Sequence, residues 1–244
     1  MCFVDNKGFY GMIISRYYQS EKVKKMAKKS FAVIGLGRFG TAVVEELIEN
    51  GFDVLVIDRD EARIAKMAKT ATHAVRLDTS DEGALREVGI ASIDHVIVAI
   101  GKDIEDSILT TLILKELGVK RITVKVQNEY HEKVVLKLGA DDVIQPERLM
   151  GKRLAHRIVT NNILEYYDLN KTHSFIVIEA SSKLVDYTVV NLDLRSKHKI
   201  NIVAIKRGDD VIIPDPDDRF EEGDQLLLVG KNTDLDKFSA WCQK

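Results

Sequence analysis

The stretch FAVIGLGRFG at residues 31–40 decides the fold class of the first part of the chain. A short apolar strand leads into the spacing Gly35, Gly37 and Gly40, and a helical pattern follows. In nucleotide-binding turns of this kind the first glycine allows a sharp turn and the second lets backbone N–H groups approach a pyrophosphate. The third lets the helix pack close to the strand. The stretch therefore predicts a strand, a phosphate-binding turn and a helix.

Two charged residues complete the motif. Arg38 adds a positive charge at the start of the predicted helix, where unpaired N–H groups already favour an anion. Asp58 ends the second apolar strand, 21 residues after Gly37, where a carboxylate accepts from both ribose hydroxyls and repels a 2′-phosphate. The alternative is a glycine-rich turn in an α/β protein that binds no ligand.

Apolar strands alternate with helical patterns from residue 31 to about residue 145. This alternation predicts an α/β fold, a Rossmann-like doubly wound parallel sheet, over a domain at residues 30–146. Its ligand crevice is expected at the carboxyl ends of the strands, where the strand order reverses. The six strands are predicted at residues 31–34, 54–57, 73–77, 96–100, 122–126 and 143–144.

Polar residues follow several of these strands. Asp78 is interpreted as a ligand on the adenine side of the crevice. Thr79 is either a ligand or, with Ser80, a cap of the next helix. The predicted nucleotide contacts are Gly35, Leu36, Gly37, Arg38, Phe39, Gly40, Asp58, Arg59, Asp78, Thr79, Ile100, Gly101 and Lys125.

A long helical pattern with a wide apolar face covers residues 147–167. It predicts a crossover and dimerisation helix with a hinge at residues 147–171, and the alternative is an ordinary linker helix packed on its own domain. The apolar runs in residues 172–244 predict a second, smaller α+β domain with strands at 175–178, 201–206, 211–213 and 226–229. We also expect a helical turn at 192–195, a hairpin at Gly208 and Asp209, and a helix from Thr233. Its small size favours dimerisation.

Composition excludes several classes of protein. A net charge of −2 with 30% charged residues gives no basic field for nucleic acid. The two cysteines lie at opposite ends, without metal-ligand spacing, which favours a reducing, cytosolic compartment. No apolar run approaches the roughly 18 residues of a membrane span. Residues 1–29 show no folding period and are expected to be a disordered extension, with Met26 as the natural start.

No catalytic constellation is evident in the sequence. The six histidines are dispersed, and neither HExxH nor GxxxxGK[ST] occurs. We therefore predict that the nucleotide is sensed rather than transformed and that the protein is not an enzyme. The alternative is an NAD-dependent oxidoreductase with an unrecognised substrate domain. A structural oligomer with a vestigial pocket is disfavoured by the retained glycines and Asp58.

Five further stretches carry a family resemblance together with residues 31–40. They are HVIVAI at 95–100, SILTTLILKELG at 107–118, KVQNEYHEK at 125–133, GADDVIQPER at 139–148 and NIVAIKR at 201–207. From about residue 28 to its end, the chain resembles the cytosolic RCK proteins, specifically the KtrA/KtrC-type regulatory subunits of bacterial potassium uptake systems, which are related to TrkA.

The resemblance implies an octameric ring of RCK dimers beneath a membrane channel dimer of KtrB/KtrD or TrkH type, at the inner face of the cell membrane. ATP, ADP or NAD(H) would occupy the crevice, with ATP favouring the active state and ADP the inactive one. Arg38 would contact the γ-phosphate in its own or the neighbouring subunit, and Lys125 would be a second phosphate contact. Glu147 would help to bind a divalent or monovalent cation.

The resemblance also implies a TrkA-C type domain at the C-terminus that binds cyclic di-AMP between two subunits. Inhibition of the channel would follow from this binding. The residues at matching positions are Arg195, Asn201, Ile202 and Pro214.

Overall fold

The computed structural model describes residues 29–159, 162–185 and 187–243. The chain divides into two compact units between Pro146 and Glu147. The expected extension at residues 1–29 and the start proposed at Met26 lie outside the described residues, apart from Lys29.

Strands and helices alternate along the N-terminal unit. The strands are β1 (Ser30–Ile34), β2 (Asp53–Asp58), β3 (His73–Arg76), β4 (His95–Val98), β5 (Ile122–Lys125) and β6 (Asp142–Ile144). These six strands pair in parallel in the order β3-β2-β1-β4-β5-β6, which confirms the Rossmann-like sheet. The helices are α1 (Arg38–Glu49), α2 (Glu61–Met67), α3 (Glu82–Glu87), α4 (Ile104–Glu116) and α5 (Glu129–Leu138).

Both faces of this sheet are buried, as a doubly wound fold requires. Successive side chains of β1 enter different apolar clusters, Ala32 and Ile34 in one and Val33 in the other. The same alternation separates Leu55 from Val56 in β2. The continuous apolar runs of the sequence therefore reflect helices on both sides of the sheet.

The C-terminal unit contains five strands, β7 (Ile163–Asp168), β8 (His173–Glu179), β9 (Ile200–Arg207), β10 (Asp210–Ile212) and β11 (Gln225–Lys231). They form an antiparallel sheet in the order β10-β9-β11-β8-β7. Gly208 has a φ of +59° in the predicted hairpin between β9 and β10. The helical elements are α6 (Pro146–Val159), α7 (Val189–Leu192), a π-helical turn (Leu194–His198) and α8 (Asn232–Gln243).

The helix predicted over residues 147–167 is too long. Helix α6 ends at Val159, and Ile163 belongs to β7, which pairs antiparallel with β8. In β7, buried Ile163 and Tyr166 contribute to the core of the C-terminal unit. The apolar residues that extended the helical period are therefore strand residues, since pairing with β8 overrides the local pattern.

Helix α6 packs on its own unit through polar and charged side chains. The His156 ring stacks on Tyr166 with centroids 3.9 Å apart, and the Arg153 guanidinium lies 4.6 Å from the centre of the Tyr167 ring. None of the residues of α6 is buried. Its exposed apolar side chains are Leu149, Met150, Leu154, Ile158 and Val159.

A buried ion pair stabilises the C-terminal unit at the end of β9. Asp224 is fully buried, and it accepts from Arg207 Nε at 2.8 Å and Arg207 Nη2 at 2.9 Å. Burial alone would raise the pKa of Asp224, but the hydrogen bonds from Arg207 and from the Glu221 N–H lower it. The pair therefore stabilises the unit above about pH 4, and this stabilisation is lost as the pH falls.

We expect Arg207→Ala to lower the free energy of unfolding of the C-terminal unit by about 2–3 kcal/mol, because it leaves the Asp224 carboxylate buried without its partner. Urea unfolding followed by the fluorescence of Trp241, the single tryptophan of the chain, measures the change. Lys237→Ala, which removes an exposed pair 3.9 Å long with Asp234, is the control and should change the value by less than about 1 kcal/mol. Equal effects of the two substitutions on the free energy of unfolding would contradict the stabilising role of the pair between Arg207 and Asp224.

Candidate nucleotide site and C-terminal ligand site

The glycine-rich turn is compressed between β1, α1 and the end of β4. Gly35 has a φ of +96°, and a Cβ placed on it would lie 3.0 Å from the carbonyl of Ala99. A Cβ on Gly40 would lie 1.9 Å from the Gly35 carbonyl oxygen. A side chain at position 40 would therefore collide with backbone. One at position 35 would be crowded by Ala99 and would need a φ that favours glycine, so both glycines are required.

Gly37 has a different role, because it stands at the open start of α1. A Cβ on Gly37 would meet no atom within 4 Å among the described residues. As the N-cap of α1 it supplies no side-chain hydrogen bond, whereas α2 to α5 are capped by Asp60, Asp81, Asp103 and Asn128. The first N–H groups of α1 are thus left for another acceptor, next to the exposed Arg38.

Asp58 connects the end of β2 to the glycine-rich turn. Its Oδ2 accepts from the Leu36 N–H at 2.6 Å, and its Oδ1 accepts from the Asp60 N–H at 2.8 Å. Arg63 Nη1 lies 3.3 Å from Oδ2, a contact that the sequence did not indicate. The carboxylate is 6% exposed, and its hydrogen bonds to Leu36, Asp60 and Arg63 fix the shape of the turn.

The residues beside β2 and β3 occupy two kinds of environment. The Arg59 side chain is exposed and pairs with Asp106 at 3.0 Å. Asp78 is also exposed, and its Oδ1 accepts from the N–H and hydroxyl of Ser80, which lower the pKa of Asp78.

The cap predicted at Thr79 or Ser80 is wrong, since Asp81 caps α3. Thr79 is buried, and its hydroxyl lies 2.7 Å from that of Thr110 in α4. Thr110 lies 31 residues along the chain, and no local sequence signal pairs the two.

Lys125 is the last residue of β5 and lies at the same edge of the sheet. Its Nζ lies 3.4 Å from the Cβ position of Gly101 and 6.0 Å from the centre of the Phe39 ring. Gln127 Nε2 donates to the Gly101 carbonyl at 3.1 Å, which fixes the segment after β4 beside partly buried Ile100. The structure therefore brings together the glycine-rich turn, Asp58, Gly101 and Lys125 at the carboxyl edge of the sheet.

The four residues assigned to the C-terminal ligand lie around the start of β9. Arg195 is exposed on the π-helical turn that precedes the strand, while Asn201 and Ile202 are near its beginning. Pro214 follows β10, which runs antiparallel to β9 and returns the chain toward that beginning. The registers of β9 and β11 shift at Val203, a β-bulge.

Glu147 is exposed in the first turn of α6, in the C-terminal unit. Within residues 29–159, 162–185 and 187–243, no group of three or more His, Cys, Asp or Glu side chains is arranged to hold a metal ion. The cation role of Glu147 therefore remains a prediction.

Comparison with known proteins assigns both units. Residues 31–146 match the TrkA-N domain, and residues 174–243 match the TrkA-C domain. The chain is 52% identical over 212 residues to the Ktr system potassium uptake protein C of Bacillus subtilis, covering 86% of this chain and 96% of that protein. It is 42% identical to the Ktr system potassium uptake protein A of the same organism, covering 88% and 97%. The same-named protein of Vibrio alginolyticus is 37% identical, covering 86% and 96%.

The described protein is thus a TrkA-N domain followed by a TrkA-C domain. On these identities, the chain belongs to the family of KtrA/KtrC-like RCK regulatory subunits of potassium uptake systems. Among solved structures, the GsuK RCK domain is 24% identical, with a TM-score of 0.49, and covers 89% of this chain and 47% of that one. In the part of the chain that the structure describes, no helix is long and apolar enough to cross a membrane.

Substitution by alanine should have different effects at the open Gly37 and at the tightly packed Gly40. Gly37→Ala is expected to leave the melting temperature unchanged or slightly raised, because its φ of −74° suits alanine and the Cβ position is open. It should weaken adenine nucleotide binding at least about tenfold, since the methyl group would stand where the sequence predicts that the phosphates approach the backbone. Gly40→Ala should instead destabilise the N-terminal unit by about 2 kcal/mol or more. Thermal melting and calorimetric ATP titration separate the outcomes, and unchanged ATP affinity in Gly37→Ala would contradict the site.

Proposed function

We propose that this protein is the nucleotide-sensing gating subunit of a bacterial potassium uptake system, in which bound ATP favours the active state and ADP the inactive one. The observation that carries the proposal is the uncapped start of α1, placed beside Asp58 and Lys125 in a chain of the Ktr family. Its location is proposed to be cytoplasmic, against the inner face of the membrane through its partner.

The geometry of the crevice supports an adenine nucleotide as the ligand. The N–H groups at the start of α1 and the Arg38 guanidinium suit phosphates, and Lys125 supplies a second positive charge at the same edge. Asp58 suits ribose hydroxyls and disfavours a 2′-phosphate, so ATP, ADP and NAD(H) are preferred over NADP(H). Asp78, exposed beyond β3, is the proposed adenine contact.

Discrimination between ATP and ADP requires a contact that only the third phosphate makes. Arg38 is the first residue of α1 and is exposed, so its guanidinium can reach a terminal phosphate in its own subunit or in a neighbour. A ligand shifts a two-state assembly only by its differential affinity for the two states. One contact of this kind can supply the coupling of about 1–3 kcal/mol that is typical of allosteric proteins.

Binding without turnover is favoured over NAD-dependent oxidation and reduction. An oxidoreductase needs an acid or base and a substrate clamp beside the nicotinamide. The relatives with the highest identities named above are potassium uptake proteins, which favours a regulatory role.

We propose that the C-terminal unit binds cyclic di-AMP between two copies and that this ligand inhibits uptake. Arg195 would pair with a phosphodiester, and Asn201 would contact an adenine edge. Exposed apolar side chains on β9, β10 and the following residue supply a surface for the bases, with Val203 at 37%, Val211 at 47% and Ile213 at 75% exposure.

The exposed face of α6 supports assembly with a second copy of the chain. The helix contacts its own unit through Arg153 and His156, so its apolar side chains remain outside. Burying such a row between two copies removes apolar surface from water. We propose that these dimers form an octameric ring beneath the membrane subunit, with Glu147 helping to hold a cation beside the nucleotide.

A thermal-shift titration with ATP, ADP, NAD⁺, NADH and cyclic di-AMP tests the ligands directly, because a ligand that binds only the folded protein raises its melting temperature. We expect shifts with ATP and ADP and an additional, independent shift with cyclic di-AMP. At 100 times its dissociation constant, each should add about 2.7 kcal/mol of stability. A shift with NAD⁺ or NADH alone would favour the oxidoreductase.

Arg38→Ala should retain most of the affinity for adenine nucleotides and lose the contrast between ATP and ADP. In vesicles that carry the membrane subunit, we expect the wild type to transport potassium several-fold faster with ATP than with ADP. The variant should show less than about a twofold difference, since the γ-phosphate contact is gone. Arg86→Ala, which removes an exposed pair with Glu82, is the matched control and should behave as the wild type. A full contrast in Arg38→Ala would assign the discrimination to another residue.

A further inference from the structure

The π-helical turn that carries Arg195 has an unfavourable backbone at both ends. Asp193 before it and Lys199 after it have φ angles of +45° and +61°, the two positive values found for non-glycine residues within the described part of the chain. Such conformations persist only where the surroundings hold them. The turn is therefore fixed by contacts rather than by the preference of its own residues.

Hydrogen bonds hold the first half of the turn. Asp193 Oδ1 accepts from the Ser196 N–H at 3.3 Å, and the Asp193 carbonyl accepts from the Lys197 N–H at 3.0 Å. The Lys199 N–H donates to the Leu194 carbonyl across the turn. These bonds lie within the segment, so they fix its shape without fixing its position on the domain.

His198 attaches the second half of the turn to α8. Its ring meets Phe238 edge-on, with centroids 4.9 Å apart and planes at 67°, and lies 5.3 Å from Trp241. Phe238 is fully buried, and Trp241 is held by Lys183, whose Nζ lies 3.8 Å from the ring centre and donates to the Trp241 carbonyl at 3.0 Å. The two aromatic rings that contact His198 are thus held by the core of the unit and by Lys183.

We propose that His198 is a positioning residue for the C-terminal ligand site, because its ring holds the turn that presents Arg195. This inference rests on the proposed binding of cyclic di-AMP, and it adds the last helix of the chain to the elements that set the affinity. Without the ring, the ends at buried Leu194 and Ile200 remain anchored, while the segment between them, which includes the strained Lys199, loses its contact with α8. The guanidinium of Arg195 then samples positions away from the phosphodiester.

The test compares His198→Ala with His198→Phe in the full-length protein. We expect His198→Ala to weaken binding of cyclic di-AMP about tenfold, measured by calorimetry, and His198→Phe to stay within about threefold of the wild type, because an aromatic ring keeps the edge-on contact. His173→Ala, another histidine of the same unit, lies in β8 and is the matched control that should bind as the wild type.

A second measurement does not depend on the ligand. Amide hydrogen exchange at Lys197 and Lys199 should accelerate about tenfold in His198→Ala and return toward the wild-type rate in His198→Phe. Unchanged exchange in His198→Ala would overturn the inference, and so would faster exchange with unchanged affinity. A wild-type protein that binds no cyclic di-AMP would instead refute the ligand of the proposed function, and the role of Arg195 with it.

Discussion

The carbonyl oxygen of Gly35 lies 1.9 Å from the point where a Cβ at position 40 would stand, so the start of α1 is as near to β1 as backbone allows. This approach places the helix N-terminus over the junction of β1 and β4, where the strand order reverses. With glycine as N-cap, the partial positive charge of the helix is unopposed by a side chain. The proposed phosphate contacts at Gly37, Arg38 and Lys125 all depend on where this helix begins.

The two units differ in how their polar groups are satisfied by hydrogen bonds. In the N-terminal unit the start of α1 has no side-chain cap, whereas the carboxylate of Asp58 accepts from Leu36, Asp60 and Arg63. In the C-terminal unit Arg207 donates two hydrogen bonds to the buried carboxylate of Asp224. Backbone strain in this unit lies at the two ends of the turn before β9, where Asp193 and Lys199 have positive φ angles. Each unit thus has a stable core and one locally unfavourable region, which is where proteins commonly bind ligands.

Features encoded by short-range patterns were predictable from the sequence. The parallel strands follow from apolar runs between helices, and the glycine-rich turn follows from spacing. Features set by distant partners were not predictable. The apolar spacing of the preceding helix extends to Ile163, so the sequence predicted that Ile163 is helical. In the structure Ile163 lies in a strand that pairs with β8. Thr79 fitted a helix cap and instead meets Thr110 in another helix. The two aromatic rings that contact His198 belong to residues 40 or more positions away, which no local period reveals.

The bulge at Val203 changes the pattern of burial along β9. After the bulge, Ala204 and Ile205 are both buried in the core. Exposed Asn201 and Val203 alternate with buried Ile200 and partly buried Ile202. The exposed positions are free to change in evolution without altering the packing that maintains the domain. Substitutions at these positions can therefore change the ligand proposed for this part of the sheet, or abolish its binding, while the same small domain persists as a scaffold.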